Sequence, residues 1–207
     1  MTPPSERAPV AMQVLAAFGL LVLMALDWRL AAVTAVALSL VLPPARWRPA
    51  ALGRALLVYA CWAIVWVLFA AAYTRVMAAL GRPVLPQAQL LELAERGAMA
   101  PGFAARLALI VVAAPLVEEI VFRGYLYSAA VRLAPVWLSQ VVVAALFGLA
   151  HGVDHALPIA VLSLAFGYLR QRHGSLLPSM VAHAAHNALT VALVVGWPSL
   201  LDLLYAR

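Results

Sequence analysis

The sequence predicts an all-α protein, a polytopic membrane helix bundle of about seven transmembrane helices. Two observations predict this class. Of the 207 residues, 66% are hydrophobic and only 11% are charged, whereas soluble domains are typically about half apolar and about a quarter charged. The apolar runs also approach or exceed the roughly 20 residues with which a helix spans a bilayer. A water-soluble fold would have too few polar side chains to cover its surface.

Apolar runs and the prolines between them define the helices of this bundle, which we treat as one membrane domain over residues 1–207. The predicted helices cover residues 8–26, 30–43, 51–74, 103–131, 136–152, 156–170 and 176–197. Pro101, Pro135 and Pro178 stand near predicted helix starts, where the missing N–H is tolerated. The less apolar residues 84–98 predict a helix or loop that lies on one membrane face.

The charge pattern favours a membrane protein over a nucleic-acid-binding one. All 14 Lys+Arg positions are Arg, and the formal net charge is +6. Many of these arginines stand near predicted helix ends, where membrane topology explains them: Arg46, Arg48, Arg54, Arg170 and Arg172. No basic face is visible, so we expect no nucleic-acid partner. The single cysteine, Cys61, excludes an intrachain disulfide, and we expect it to be a buried thiol.

Polar side chains interrupt the last four predicted helices, whereas the middles of the first three carry almost no ionisable groups. The interrupting residues are Glu118, Glu119, His151, His183, His186 and Asn187. A charge near the bilayer centre costs about 3 kcal/mol on insertion scales, so such residues are functional candidates. With a rise of about 1.5 Å per residue, Glu118, His151, His183 and Asn187 lie about 20, 24, 12 and 18 Å from the same face. Their side chains are therefore expected to converge in one cavity.

The spacing along each helix divides these residues by role. Glu119 and Arg123 are four residues apart and share a helix face, whereas Glu118 points about 100° away. This predicts a paired, structural Glu119 and a freer Glu118 that accepts a proton from water. His183 and Asn187 are also four apart and could donate hydrogen bonds to a developing oxyanion.

Four motifs resemble those of the CAAX protease and bacteriocin-processing family, also called CPBP or Abi. In chain order they are Glu118-Glu119-x-x-x-Arg123, then Phe147-x-x-x-His151, then Phe166-Gly167 with Gly174-Ser175-Leu176 and His183, and finally His183-x-x-x-Asn187. Each motif is weak by itself, but the ordered set on membrane helices is specific. The N-terminal half carries no motif.

The resemblance implies an intramembrane endopeptidase whose catalytic half covers about residues 103–197. By resemblance, Glu118 and His151 activate the attacking water, and His183 and Asn187 stabilise the oxyanion. Glu119 and Arg123 would support the site. The implied partners are the lipid bilayer and a membrane-associated peptide or protein C-terminus; the oligomeric state is left open. We expect an integral protein of the bacterial inner (plasma) membrane.

The resemblance does not fix the catalytic type. We expect no metal cofactor, because the candidate ligands come from three separate helices and no His-Glu-x-x-His helix is present. Zinc stays an alternative, ligated by Glu118, His151 and His183, since two imidazoles and a carboxylate suffice for a catalytic site.

Two other functions compete with proteolysis. One is a non-enzymatic membrane protein, such as an immunity factor that binds a peptide, and the other is a transporter whose buried Glu and His relay protons. The presence of all the proton-accepting motif residues disfavours the first. The second is disfavoured because no paired half-repeats are visible. The sequence does not reveal the substrate, although the small size of the chain favours a peptide or an anchored tail over a prenylated protein.

Overall fold

The computed structural model describes residues 8–48, 52–99 and 101–205 of the chain. The predicted domain 1–207 extends beyond these ranges at both termini, and the predicted helix start at residue 51 lies outside them. The described helices are α1 (Val10–Leu26), α2 (Trp28–Val41), α3 (Leu52–Ala79), α4 (Ala88–Arg96), α5 (103–130), α6 (Val136–Ala150), α7 (Ala156–His173), α8 (Leu177–Gly196) and α9 (Leu200–Tyr205). Apart from an isolated bridge between Arg46 and Ser175, the described residues contain no β-structure. The all-α prediction is confirmed.

Among the described residues, two helices, α3 and α8, are long and apolar enough to cross a membrane, by length and composition. α1, α2 and α6 are apolar but shorter. The prediction of seven spans therefore stays a prediction. Each predicted helix nevertheless has a counterpart, and a helix, α4, lies within the predicted interfacial segment.

The surface of this protein is apolar over much of its extent, unlike that of a water-soluble domain. Large apolar side chains point outward from α3, and Leu57, Ile64 and Leu68 are each about two thirds exposed. Charged side chains such as Glu119 and Arg123 are buried instead. Extended apolar surfaces of this kind mark contact with lipid or protein. Because Cys61 lies on the same outward-facing helix, it is exposed, and the prediction of a buried thiol is wrong.

Helix α5 contains two π-helical segments, Leu109–Ala113 and Ile120–Leu126. The first directly precedes Ala114-Pro115, and proline has no N–H with which to continue the α-helical ladder. π turns of this kind occur frequently at functional sites. In this chain the two turns flank the Glu118–Glu119 pair.

Close packing joins α6 and α7 into an antiparallel hairpin. A Cβ atom at Gly148 would collide with the Ala156 carbonyl, and one at Gly167 would collide with the Gln140 amide. Gln140 Nε2 donates to Gly167 O at 2.8 Å. The turn after α6 passes through Gly152 at φ +96°, a conformation that favours glycine. Because Gly148 and Gly167 have no side chain, α6 packs closely against α7, and this packing positions His151 at the end of α6.

Candidate active site

The three ionisable side chains predicted to be catalytic meet at one point between α5, α6 and α8. Glu118 Oε2 lies 3.6 Å from His183 Nε2 and 3.8 Å from His151 Nε2. Glu118 and His183 are buried, and the His151 side chain is 26% exposed. The predicted convergence of these three residues is therefore present.

Hydrogen bonds at Nδ1 orient both imidazoles. His151 Nδ1 lies 2.8 Å from the Phe147 carbonyl, and His183 Nδ1 lies 3.0 Å from Glu119 Oε1. Because a carbonyl and a carboxylate accept, each Nδ1 carries the proton and donates. In the neutral ring, Nε2 is then an acceptor, and in both histidines Nε2 faces Glu118.

Glu119 and Arg123 form a buried ion pair, as their four-residue spacing predicts. Arg123 Nη1 donates to Glu119 Oε1 at 2.9 Å, and both side chains are almost fully buried. Arg123 Nη2 donates to Ser163 Oγ at 2.5 Å and to Ser163 O at 3.2 Å. Glu119 Oε2 has no hydrogen-bond donor among the described residues. The hydroxyl of Ser179 lies close to this carboxylate and donates to Leu176 O at 2.9 Å.

The two motif phenylalanines enclose the arginine and the histidines. The Arg123 guanidinium lies 4.4 Å from the centre of the Phe147 ring and 5.4 Å from that of Phe166, within the range of cation–π attraction. Phe166 stacks on His183 at 4.7 Å, and Phe147 contacts His151 at 4.7 Å. The sequence motifs identify these phenylalanines, but their role as the apolar wall of the site is visible only in three dimensions.

Asn187 lies one turn beyond His183 on α8 and donates from Nδ2 to Ile110 O at 2.8 Å. The first π turn leaves this carbonyl free to accept, because Ala114 N–H donates to Leu109 O, five residues earlier, instead of to Ile110 O, four residues earlier. The sequence predicted that Asn187 points into the site beside His183. Its observed contact is with backbone, which leaves the second N–H of the amide available as a donor.

Arg170 donates to the backbone carbonyl that the second π turn leaves without its α-helical N–H donor. Tyr127 N–H donates to Phe122 O, five residues earlier, and Arg170 Nε donates to Arg123 O at 3.2 Å. The guanidinium also lies 5.8 Å from the centre of the Tyr127 ring. Arg170 stands in the last turn of α7, as predicted, but its side chain is buried and only 8% exposed. Its seven-residue spacing from Ser163, which places both on one helix face, was the available signal.

His186 belongs to a different cluster. Its Nδ1 lies 3.2 Å from Tyr59 OH, and its ring packs edge-on against Trp66 at 4.7 Å. Trp66 in turn donates to Pro158 O at 2.8 Å. His186 therefore ties α8 to α3 and α7, whereas His183 faces the carboxylates, as the motif spacing predicts.

Metal ligation was the alternative use of Glu118, His151 and His183. The described residues contain no group of three or more His, Cys, Asp or Glu side chains placed to hold one metal ion. The donor types themselves, two imidazole nitrogens and a carboxylate oxygen, are those of a catalytic zinc site.

The fold and this site define a helical membrane protein with a buried carboxylate–imidazole centre. Residues 100–189 match the family model described as type II CAAX prenyl endopeptidase Rce1-like. The resemblance that the motifs predict is thus confirmed over residues 100–189, the part of the chain that is similar to these endopeptidases. Comparisons with curated proteins and with solved structures find no match to the chain.

Proposed function

We propose that this protein is an intramembrane endopeptidase in which Glu118 activates the water that hydrolyses a peptide bond. The observation that carries the proposal is the approach of two imidazole Nε2 atoms to one carboxylate oxygen, at 3.6 and 3.8 Å. A water among three acceptors would donate its two hydrogens to two of them. Glu118 would take the proton as the water attacks, and His151 would orient the water.

The oxyanion of the tetrahedral intermediate would lie on the α8 side of the site. The second N–H of Asn187 would donate to it, as would His183 Nε2 when that nitrogen carries a proton. The bond from Asn187 to Ile110 O holds the carboxamide in place beforehand. Such preorganised donors accelerate a reaction because they need no rearrangement as charge develops.

We further propose that the reaction proceeds without a metal. Glu118, His151 and His183 have the donor types of a zinc site but would have to move closer together to hold the ion, which would supply Lewis-acid polarisation of the scissile carbonyl and a more acidic water. The test is to strip the purified protein with a strong chelator and to measure both metal content and cleavage. Stoichiometric zinc whose removal stops cleavage, and whose return restores it, would overturn this part of the proposal.

The proposed substrate is a membrane-associated peptide or a protein C-terminus, and the setting that we propose is the bacterial inner membrane. The protein in lipid nanodiscs should be offered three probes: a farnesylated peptide ending in Cys-aliphatic-aliphatic-X, its unprenylated twin, and a peptide with an apolar C-terminal anchor. Mass spectrometry identifies the cleaved bond. Glu118→Ala protein is the negative control, and equal cleavage by it would refute the assignment of the base.

The natural substrate requires a cellular comparison. The membrane proteome of a deletion strain should be compared with that of a strain carrying Glu118→Ala. Accumulation of the same uncleaved precursor in both strains would identify the substrate. A precursor that accumulates only in the deletion strain would indicate a function that does not need the carboxylate.

A further inference from the structure

Hydrogen bonds join the loops and helix termini at one end of the bundle into one surface, which we call the basic end. It comprises residues 8–10, 41–48, 52–54, 130–136 and 171–177. Arg132 Nη1 donates to Ala8 O at 2.6 Å, and Ser128 Oγ donates to Pro44 O at 3.2 Å. Leu176 N–H donates to Arg46 O at 3.1 Å. The segment before the first helix and three helix connections thus meet at this end.

Formal charge is distributed unequally between the two ends. The basic end carries Arg46, Arg48, Arg54, Arg132 and Arg172, and none of its described residues is Asp or Glu. The opposite end also carries arginines, but with an equal number of carboxylates: Asp27, Glu92, Glu95, Asp154 and Asp202, against Arg29, Arg75, Arg82, Arg96 and Arg106. In the interior, Glu118 and Glu119 balance Arg123 and Arg170. The excess positive charge of the described residues therefore resides at the basic end.

Several arginines of the opposite end have partners within the protein. Arg106 and Arg96 lie 2.5 and 3.7 Å from the Glu92 carboxylate, and Arg75 donates to Leu203 O at 3.2 Å. Arg48, Arg54 and Arg172 of the basic end are exposed, and the described residues of that end include no carboxylate that could pair with them.

Apolar and aromatic side chains are also exposed at the basic end and directly beside it. Val41 is 85% exposed and Leu133 is 74% exposed, and Trp47 and Trp137 are also exposed. Tryptophan of this kind sits at the headgroup level of a bilayer. A phospholipid satisfies both features at once, because its phosphate meets the guanidinium groups while its chains cover the apolar side chains. A free phosphate would satisfy only the arginines.

We propose that the basic end is a binding surface for anionic phospholipid headgroups. Exposed arginines would contact the phosphates bidentately. An anionic leaflet would attract the basic end of the bundle more strongly than the opposite end, whose charges balance. Each arginine near an anionic membrane surface strengthens binding by about fivefold. The surface is independent of the proteolytic site, so the proposal does not rest on the proposed function.

The test compares two triple variants of the full chain by native mass spectrometry of lipid adducts. The first is Arg48→Gln/Arg54→Gln/Arg172→Gln at the basic end. The matched control is Arg29→Gln/Arg82→Gln/Arg96→Gln at the opposite end. Each protein is titrated with phosphatidylglycerol and phosphatidylcholine, and thermal unfolding verifies that both variants fold.

The wild type should prefer phosphatidylglycerol, and the basic-end triple should lose about a hundredfold of that preference, since three fivefold factors multiply. The control should lose at most a few fold. Raising salt from about 0.1 to 1 M shortens the Debye length from about 10 to about 3 Å and should weaken the preference. No preference in the wild type, or equal loss in both triples, would overturn the proposal. Complete displacement of the lipid by millimolar inorganic phosphate would also overturn it, by indicating a simple anion site.

Discussion

Glu119 Oε1 accepts a hydrogen bond from His183 Nδ1 at 3.0 Å, and Arg123 donates to the same oxygen at 2.9 Å. One carboxylate oxygen therefore fixes the imidazole whose other nitrogen faces Glu118. Two glutamates adjacent in sequence differ in their contacts because the helix turns by about 100° between them. Glu119 is held by protein groups on one side, and Glu118 faces the point where two histidines meet.

Replacement of the two glutamates by glutamine should separate these roles. Glu118→Gln should leave the unfolding temperature near that of the wild type and reduce kcat about 100- to 10,000-fold, the usual contribution of a general base. Glu119→Gln leaves the buried Arg123 charge without its counter-ion, a change that typically costs about 3–5 kcal/mol. Thermal unfolding and cleavage of the probe peptides measure the two effects. Equal loss of stability in both variants would contradict the division.

Arg170→Met should destabilise the second π turn. The Arg123 carbonyl would lose its donor, and a buried acceptor without a partner costs about 1–3 kcal/mol. Arg172→Met is the matched control, because Arg172 is exposed two residues away on the same helix. Backbone hydrogen exchange, measured by mass spectrometry, should become faster in residues 120–130 of the Arg170→Met protein and stay unchanged there in the Arg172→Met protein. Unchanged exchange there would show that Arg170 does not hold this turn.

The contacts that the sequence predicted are those that arise within one helix or from a motif. The Glu119–Arg123 pair follows from helical spacing, and the selection of His183 over His186 follows from the motif. The sequence did not predict the hydrogen-bond partners of Asn187 and Arg170. Both partners are backbone carbonyls that a π turn leaves without an N–H donor, and helical periodicity gives no sign of such carbonyls. The sequence therefore placed Arg170 near a helix end but did not predict that it is buried.

Gly124→Ala should destabilise the protein by overpacking. A Cβ atom at this position would lie 2.7 Å from Pro44 Cβ, and inserting an atom into a packed contact typically costs about 1–3 kcal/mol. Gly19→Ala is the control, because no atom lies within 4 Å of the corresponding Cβ position. The unfolding temperature should fall for Gly124→Ala and not for Gly19→Ala. Pro44→Gly removes most of the opposing ring, so adding Gly124→Ala to the Pro44→Gly protein should lower the unfolding temperature by less than it does in the wild type. No relief would mean that the collision lies elsewhere.

The pH dependence of stability should include a contribution from Glu92, on α4 outside the membrane-spanning helices. Its hydrogen bond to Arg106 and the charges of Arg106 and Arg96 hold its pKa below the ordinary value of 4.5. A carboxyl whose pKa is lower in the folded state stabilises above the unfolded pKa, and this stabilisation is lost as pH falls through the folded pKa. Glu92→Gln should therefore lower the unfolding temperature at pH 7, and its difference from wild type should begin to shrink near the unfolded pKa of about 4.3 and disappear once the folded protein is protonated at Glu92.

Asn187 should have two separable effects, one on stability and one on catalysis. Asn187→Ala removes the donor to Ile110 O, at a cost of about 1–3 kcal/mol. It also removes the proposed oxyanion donor, whose loss typically reduces kcat about 100- to 1,000-fold.

Pro115→Ala provides the background that distinguishes these effects. Alanine restores a backbone N–H at residue 115, so the first π turn can relax to α-helix and Ala114 N–H can return to Ile110 O. In Pro115→Ala protein, Asn187→Ala should therefore cost little stability but should still lower kcat relative to Pro115→Ala alone. A double-mutant cycle on unfolding free energy and on kcat measures the two couplings. If the kcat defect vanished together with the stability defect, Asn187 would act only by holding Ile110, and the oxyanion would need another donor.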